Sequence, residues 1–156
     1  MGEKRSLRRL TDRAYCRGMT ELALEPGGGL RGLPIGSSKG NVRTFFGDKH
    51  QPFKRTPEGN PMDYWADAGV FAYYDSDERL EALEFASPSN PTLNGLALIS
   101  VSMGEATQIL QSLDPKLRLE PDGATSTQLG IGVWSSTGEV DQPVMSAITF
   151  GSGYYD

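Results

Sequence analysis

The sequence is poor in the residues that most often carry metal and redox chemistry. Its 156 residues include one cysteine, Cys16, and one histidine, His50. A single cysteine cannot form a disulfide within the chain, and a single histidine cannot supply the paired imidazoles of many zinc sites. We therefore expect no metal ion and no cofactor.

Long apolar runs are also missing. No stretch approaches the roughly 18 consecutive apolar residues that a membrane-spanning helix requires. The N-terminal sequence MGEKRSLRRLTDRAYCRG is basic and lacks the apolar segment of a secretory signal. Together with the single cysteine, these features predict a cytoplasmic protein that does not enter membranes.

Charge is divided unevenly along the chain. Residues 1–18 carry six Lys and Arg against two acidic residues, whereas residues 19–156 carry nine against eighteen, a net charge of −9. Such an acidic body repels nucleic acid and attracts basic partners over about 8 Å, the Debye length at physiological salt. The basic segment can touch RNA or an anionic lipid surface, but a disordered leader is the simpler interpretation, and Met19 is an alternative start.

Two short helices are predicted from capping signals. In SSKGNVRTFFGD, Ser37 or Ser38 can cap a helix whose apolar stripe ends at Gly47. In the second half, Ser102 precedes a helical pattern, and Glu105 follows three residues later, which is the capping-box spacing.

The predicted strands centre on two hairpins. Residues 63–74 and 79–86 alternate apolar and polar residues around the turn Asp75–Glu78. TQLGIGVW and VMSAITF form a closing hairpin, and KLRLEP is a short strand. A short edge strand near Phe53 interrupts the polar residues 48–62.

The two hairpins resemble each other and lie about 60 residues apart. GLPI from Gly32 matches GLAL from Gly95, and Phe85 matches Phe150, at offsets that drift between 61 and 65. Similarity at a nearly constant spacing indicates a duplicated structural unit.

We therefore predict an α+β fold of two tandem helix-plus-antiparallel-sheet repeats, forming one sheet or two packed sheets. Residues 1–24 are a basic N-terminal arm, residues 25–88 the first repeat and residues 89–156 the second. The two repeats share one compact domain.

The sequence offers no convincing catalytic group. Gly27–Gly29 are not followed by the Lys-Ser or Lys-Thr of a phosphate loop. The turn Asp75–Glu78 resembles the start of a calcium loop, but Arg79 and Leu80 occupy the fifth and sixth positions. His50 lies alone in a polar loop. We therefore expect a protein that is not an enzyme.

Aromatic and acidic residues share the predicted strands. About half of the rings should face the core, and the others should be exposed beside carboxylates. Tyr and Trp often anchor protein interfaces, and acidic groups speed the encounter with a basic partner. The alternative for these carboxylates is a solvated edge that prevents aggregation. The candidate partner-binding residues are Tyr64, Trp65, Tyr73, Tyr74, Asp75, Asp77, Glu81, Glu84 and Trp134.

Three stretches carry a resemblance to a known class of proteins. GLPIGSSKGNVRTFFGD, GVFAYYDSDERLEALEF and SPSNPTLNGLALISVSMGEATQIL resemble a pattern in small bacterial cytoplasmic proteins, some of which are immunity proteins of interbacterial toxin systems. The tandem layout over residues 25–156 is similar to the beta-lactamase-inhibitor protein, whose halves are similar to a small outer-membrane assembly lipoprotein. The chain differs from these secreted relatives because it has no signal peptide, lipidated cysteine or disulfide.

The resemblance implies a non-catalytic cytoplasmic protein that neutralises a cognate toxin or effector domain by occluding it. The acidic body favours a basic toxin domain as the partner. We expect neither nucleic acid nor a membrane as a partner. The protein is expected to be a monomer or weak dimer. One alternative is a small-ligand-binding or enzymatic α+β domain with a pocket between the sheets. Another is a structural adaptor that dimerises through a strand edge.

Overall fold

A computed structural model describes residues 22–54, 56–151 and 153–154. The predicted basic arm lies outside these residues except for residues 22–24, and Cys16 lies outside as well.

The described chain runs twice through the same order of elements: a short strand pair, a helix and four longer strands. The first series is β1 (Gly29–Leu30), β2 (Leu33–Pro34), α1 (Lys39–Phe46), β3 (Gln51–Phe53), β4 (Met62–Trp65), β5 (Val70–Tyr74) and β6 (Leu80–Ala86). The second series is β7 (Thr92–Leu93), β8 (Leu96–Ala97), α2 (Met103–Leu113), β9 (Arg118–Glu120), β10 (Gly123–Ser126), β11 (Ile131–Trp134) and β12 (Ser146–Phe150).

The eight longer strands form one antiparallel sheet. Their order is β3-β4-β5-β6-β12-β11-β10-β9, while β1–β2 and β7–β8 form two small separate pairs. The junction between the two series is the pair β6–β12, where Glu84 lies opposite Ile148. The predicted α+β class with antiparallel sheets is therefore confirmed, and the four-stranded sets join edge to edge in one large sheet.

Local hydrogen bonds explain where the helices begin and end. Ser38 caps α1 by accepting the Asn41 N–H at 3.1 Å, and α1 ends at Gly47, whose φ of 102° favours glycine. At α2, Ser102 Oγ accepts the Glu105 N–H at 3.1 Å, and the Glu105 carboxylate accepts the Ser102 N–H at 3.3 Å. Both predicted helices are confirmed. Neither of these described helices is long and apolar enough to cross a membrane.

The segment 63–74, predicted as one strand, folds as two. β4 ends at Trp65, and the chain turns so that the Gly69 N–H donates to the Trp65 carbonyl at 2.9 Å. Gly69 has a φ of 70°, and a Cβ there would lie 2.2 Å from the Ala86 carbonyl oxygen. The prediction was wrong because apolar residues continue through this turn and conceal it.

In the second half, another predicted strand segment is a turn. The pattern predicts a strand that begins with TQLG, but the Gly130 N–H donates to the Ser126 carbonyl at 2.9 Å and closes a turn there. The strand before this turn is β10, which the sequence pattern did not predict. The closing pair β11–β12, the short strand β9 and the edge strand β3 at Phe53 are confirmed.

Both helices pack on the same face of the large sheet, here called the helix face. Val42 of α1 and Leu110 of α2 belong to one buried cluster with strand residues such as Val70, Phe85 and Ile131. The opposite face, here called the open face, has a smaller cluster to which neither helix contributes. Alternation along each strand therefore divides its residues between a covered and an uncovered surface.

The glycine-rich segment before β1 fastens the start of the described chain to its last strand. The Gly29 N–H donates to Thr149 Oγ1 at 2.7 Å, and the Gly27 N–H donates to the Leu129 carbonyl at 2.8 Å. A Cβ on Gly28 would lie 2.4 Å from the Phe150 carbonyl oxygen. Close backbone packing thus accounts for Gly28 and also for Gly29, where a Cβ would lie 2.7 Å from the Ile35 backbone nitrogen.

We predict that Ser102→Ala lowers the free energy of unfolding by about 1 kcal/mol, because the capping box loses its side-chain acceptor. Urea denaturation followed by circular dichroism measures the change. Ser112→Ala is the matched control, since Ser112 lies in the exposed part of α2 and bonds only the Ile109 carbonyl among the described groups. Equal losses in both variants would contradict a special role for the cap.

Candidate functional site

The strand register determines which side chains share the open face. Tyr64 lies opposite Phe71, Phe71 opposite Glu84, and Glu84 opposite Ile148. Residues directly opposite one another in paired strands point to the same side of the sheet. Extending this rule across all ladders gives an open face that carries Gln51, Phe53, Met62, Tyr64, Phe71, Tyr73, Ala82, Glu84, Ala86, Arg118, Glu120, Gly123, Thr125, Gly132, Trp134, Ser146, Ile148 and Phe150.

Aromatic rings form a layer over the first half of this face. Tyr64 stacks on Phe71 with ring centroids 4.3 Å apart and an interplanar angle of 18°. Phe53 meets the edge of Phe71 at 6.2 Å and is 38% exposed. Beside them, the Tyr73 hydroxyl donates to the Glu84 carboxylate. These contacts hold partly exposed rings in fixed positions on a regular sheet.

A single indole ring covers the second half of the open face. A Cβ built on Gly123 would lie 2.5 Å from Trp134 Cδ1, and one built on Gly132 would lie 2.6 Å from Trp134 Cη2. Opposite ends of the ring are therefore both in contact with the sheet, so the indole lies flat on it. Neither glycine has a positive φ, which means that they are needed for space and not for backbone conformation. One ring face consequently contacts the backbone, and the partly exposed side chain presents the other outward.

The edge of the face near the chain end is covered by another ring pair. Phe150 is 2% exposed, and Tyr154 stacks over it with centroids 5.8 Å apart. The open face thus carries aromatic side chains on five of its strands, from Phe53 on β3 to Trp134 on β11.

Four of the nine predicted partner-binding residues lie on the open face and are partly exposed. They are Tyr64, Tyr73, Glu84 and Trp134. The structure brings them together on one surface, although they come from four different strands. Their role in binding remains a prediction.

Two of the predicted residues belong to the core. Trp65 is 3% exposed and donates its indole N–H to the Gly47 carbonyl at 2.9 Å, and Tyr74 is 2% exposed. Alternation along β5 places Val70, Ala72 and Tyr74 on the helix face and Tyr73 on the open face. The expected exposure of Trp65 and Tyr74 is therefore corrected, and neither ring is accessible to a partner in this fold.

The remaining three predicted residues lie at the turn and bulge that join β5 to β6. Asp75 Oδ1 accepts the N–H groups of Asp77 and Arg79, both at 2.9 Å, which stabilises the turn as predicted. Burial, with a smaller contribution from the charge of Asp75, raises the pKa of Glu81 above its usual range. Asp75, Asp77 and Glu81 thus flank the open face and do not lie in its aromatic layer.

The sequence analysis missed a polar network on the helix face. Asp63 is 1% exposed, and its carboxylate accepts two hydrogen bonds from Arg43, at 2.8 and 3.0 Å, and one from the Tyr74 hydroxyl at 2.7 Å. The sequence held one signal of this network. Asp63 lies two residues before the apolar Trp65, so both side chains are on the same face of the strand. A charged residue at a core position indicates a buried partner.

Each member of this network has a shifted pKa. Burial alone would raise the pKa of Asp63, but the hydrogen bonds from Arg43 and Tyr74 outweigh it, and the pKa lies below its ordinary value of 3.8. Burial, followed by the hydrogen bond to Asp63, raises the pKa of Tyr74 far above its ordinary value. The hydrogen bond to Asp63 raises the pKa of Arg43. The network is thus an ionised carboxylate held by two donors, which suits a structural role better than proton transfer.

The second half holds its own buried carboxylate, at the C-terminal cap of α2. Asp114 is 2% exposed, and it accepts the Ser126 hydroxyl at 2.6 Å and the Lys116 N–H at 2.9 Å. Both buried carboxylates are therefore satisfied by neighbouring donors. Neither presents the paired acid and base that hydrolytic chemistry requires.

Two cavities lie beside the helices. One of about 610 Å³ lies between the β7–β8 tip and α2, and one of about 390 Å³ lies beside the end of α1 next to Trp65. Near the second cavity, His50 Nδ1 is buried without a hydrogen-bond partner among the described residues. Within the same residues, no three His, Cys, Asp or Glu side chains are grouped to hold a metal ion.

Comparison with known proteins does not extend this description. The chain matches no family model, no curated protein and no solved structure. The resemblance to immunity proteins and to the beta-lactamase-inhibitor protein thus stays a prediction from sequence pattern. The functional argument depends on the geometry of the open face.

We predict that Asp63→Ala lowers the free energy of unfolding by about 3–5 kcal/mol, because the Arg43 guanidinium and the Tyr74 hydroxyl lose their buried acceptor. Chemical denaturation at neutral pH measures the loss. Glu25→Ala is the control, since the Arg31–Glu25 pair is exposed, with a 3.7 Å separation. Its loss should stay below about 1 kcal/mol.

The wild type and the Asp63→Ala variant also test the pKa of Asp63. Because the folded pKa lies below the ordinary 3.8, the ionised carboxylate stabilises the fold above that pH, and this contribution is lost as pH falls through the folded value. The difference in stability between the wild type and Asp63→Ala should therefore narrow below that pH. A difference that stays constant down to about pH 2 would contradict the assignment.

We predict that Gly132→Ala lowers the free energy of unfolding by about 1–3 kcal/mol, because the added methyl group would overlap the Trp134 ring and lift it from the sheet. Gly40→Ala is the matched control, since Gly40 is exposed in α1 with no neighbouring side chain closer than 4.0 Å. That control should gain up to about 1 kcal/mol. Chemical denaturation followed by circular dichroism measures both changes, and a neutral Gly132→Ala would show that the ring does not need this space.

Proposed function

We propose that the protein is a non-catalytic binding protein that uses the open face to dock another protein. The observation that carries this proposal is the contrast between the two faces of one sheet. The helix face is covered by α1 and α2, whereas the open face presents a layer of partly exposed rings. Exposed, ordered Tyr and Trp side chains are typical anchors of protein interfaces.

The size of the face suits this role. Seven strand spacings of about 4.8 Å and three rows of side chains give an area of roughly 700 Å². A stable protein interface uses about 800 Å² from each partner. The regular sheet also keeps the rings in place before binding, which reduces the entropy lost on association.

The charge of the described residues favours a basic partner. They contain eight Lys and Arg against sixteen Asp and Glu, a net charge of −8. Glu84 lies near the middle of the open face, and Asp75 and Asp77 flank it. An acidic surface accelerates the approach of a basic protein, and the acceleration falls as salt increases.

We further propose that this partner is a cognate bacterial toxin or effector domain, which the protein neutralises in the cytoplasm by occluding its active domain. The pattern shared with immunity proteins supports this choice, as does a surface suited to tight protein binding. The protein would act as a monomer or weak dimer, because the open face would be occupied by the toxin.

We also propose that the chain consists of two tandem repeats, at residues 25–88 and 89–156. Corresponding hydrogen bonds support the proposal: Leu80 exchanges backbone hydrogen bonds with the segment before α1, and Val144 does so with the segment before α2. One pair from the sequence comparison does not fit. Phe85 packs in the helix-face cluster and Phe150 in the open-face cluster, so the repeats align Phe85 with Thr149.

A small-ligand or enzymatic domain is the second candidate. The cavity of about 390 Å³ beside Trp65 and the buried, unpartnered Nδ1 of His50 favour it. The large strands form one sheet among the described residues, however, so the pocket expected between two sheets has no counterpart there. A thermal-shift screen of metabolites tests this candidate.

We predict that tagged protein recovers one stoichiometric partner from its native host at mild salt, identified by mass spectrometry. Tyr64→Ala and Trp134→Ala should each weaken binding to that purified partner by about 2 kcal/mol or more, because each removes a large, ordered ring of the open face. Isothermal titration calorimetry measures the affinities. The purified partner should also be toxic by itself and harmless in the complex.

Gln108→Ala is the control for this experiment, because Gln108 is exposed on α2, on the opposite side of the molecule. It should leave the affinity unchanged. Losses below about 0.5 kcal/mol at every open-face ring would refute the docking surface. A partner that is not toxic would refute the immunity function alone.

A further inference from the structure

We propose that Trp134 and Glu120 together bind a basic side chain, Arg or Lys, that projects from the protein partner. This inference deepens the proposed function and depends on it. It gives a role to the second half of the open face, where one flat indole takes the place of the several rings of the first half.

The flat indole provides the first half of this site. Its ring contacts the sheet at both ends, over Gly123 and Gly132, so its outward face is a planar aromatic surface. Among aromatic rings, indole attracts a cation most strongly, and guanidinium groups stack on it in parallel.

Glu120 provides the second half. It lies directly opposite Gly123, which lies directly opposite Trp134. The carboxylate therefore belongs to a strand two positions from Trp134, roughly 10 Å away at the backbone. The indole bridges much of that distance, because its Nε1 would lie 2.8 Å from a Cβ on Gly123.

The Glu120 carboxylate has one oxygen that can accept a hydrogen bond from an incoming cation. Its side chain is 30% exposed, and its Oε2 lies 3.3 Å from Arg118 Nε. Oε1 has no hydrogen-bond partner among the described residues. A guanidinium lying on the indole can donate a hydrogen bond to this oxygen. The bond is strong because it joins two opposite charges.

Charge complementarity selects a basic group over an acidic or apolar one. The described residues have a net charge of −8. The open face carries Glu84 and Glu120 against one cation, Arg118, which lies opposite Thr125 and contacts only Oε2 of Glu120. An acidic side chain over Trp134 would meet the negative face of the ring and this negative field. The first half of the face, where Tyr64 and Phe71 are already stacked, offers the partner an apolar contact instead.

The test uses the full chain, labelled with ¹⁵N, and two capped peptides of six Arg or six Glu residues as probes. The protein has two tryptophans, and each gives one indole N–H signal. The Trp134 signal should shift saturably with the Arg peptide and stay unchanged with the Glu peptide. The Trp65 signal should not move, because its N–H is bonded to the Gly47 carbonyl.

Variants measure each part of the site through the anisotropy of a labelled Arg peptide. Glu120→Gln should weaken binding about fivefold and Trp134→Leu about tenfold, because each removes one attraction to the cation. Glu139→Gln, which removes the same charge from an exposed loop position, should change the affinity by less than about twofold. Circular dichroism confirms that each variant is folded.

Two outcomes would overturn the inference alone. One is an equal effect of Glu120→Gln and Glu139→Gln, which indicates general attraction to an acidic protein. The other is loss of partner capture in Tyr64→Ala with full capture in both Trp134→Leu and Glu120→Gln, which leaves the proposed function standing. Peptide binding as expected, with partner capture unaffected by any open-face variant, contradicts both the proposed function and the assignment of this site to the partner.

Discussion

The antiparallel pairing of β6 with β12 is the interaction on which the rest of the structure depends. It joins two four-stranded sets through five residue pairs, from Ala82–Phe150 to Ala86–Ser146. Without it, each set would keep an additional unpaired edge, which is a site for aggregation. The ladder also fixes the two faces, because a slip of one residue would exchange the inward and outward side chains of β12.

The burial of one face follows from this register. Phe85 and Ala147 are paired and point into the cluster beneath the helices, while Ile148 and Phe150 point to the other side. The Gly29–Thr149 hydrogen bond then ties the first strand pair to the last strand across 120 positions. The core thus includes both ends of the described chain, and the open face is what remains after the helices have covered the other.

The open face is uneven because the two proposed repeats fill it differently. In their alignment, Met62 and Phe71 of the first repeat correspond to Gly123 and Gly132 of the second. The larger residues support a stacked layer of rings, whereas the glycines allow Trp134 to lie on the backbone. Two glycines and one large ring therefore make the second half of the open face flat, whereas the first half carries several stacked rings.

The sequence by itself determined the elements whose hydrogen bonds are local. The cap at Ser38, the capping box at Ser102 and the turn at Asp75 each bond residues two to four positions apart, so the information lies within one short stretch. The α+β class followed from these signals and from strand alternation.

Only the tertiary structure decided which residues face a partner. Alternation shows that neighbours such as Tyr64 and Trp65 lie on opposite faces, but it does not show which face the helices cover. The bulge at Glu81 also breaks the pattern within β6. The contacts of Asp63 with Arg43 and of Trp134 with Gly123 join residues from different strands or helices. Such contacts form only when the sheet has assembled, which is why the candidate site could be predicted only in part.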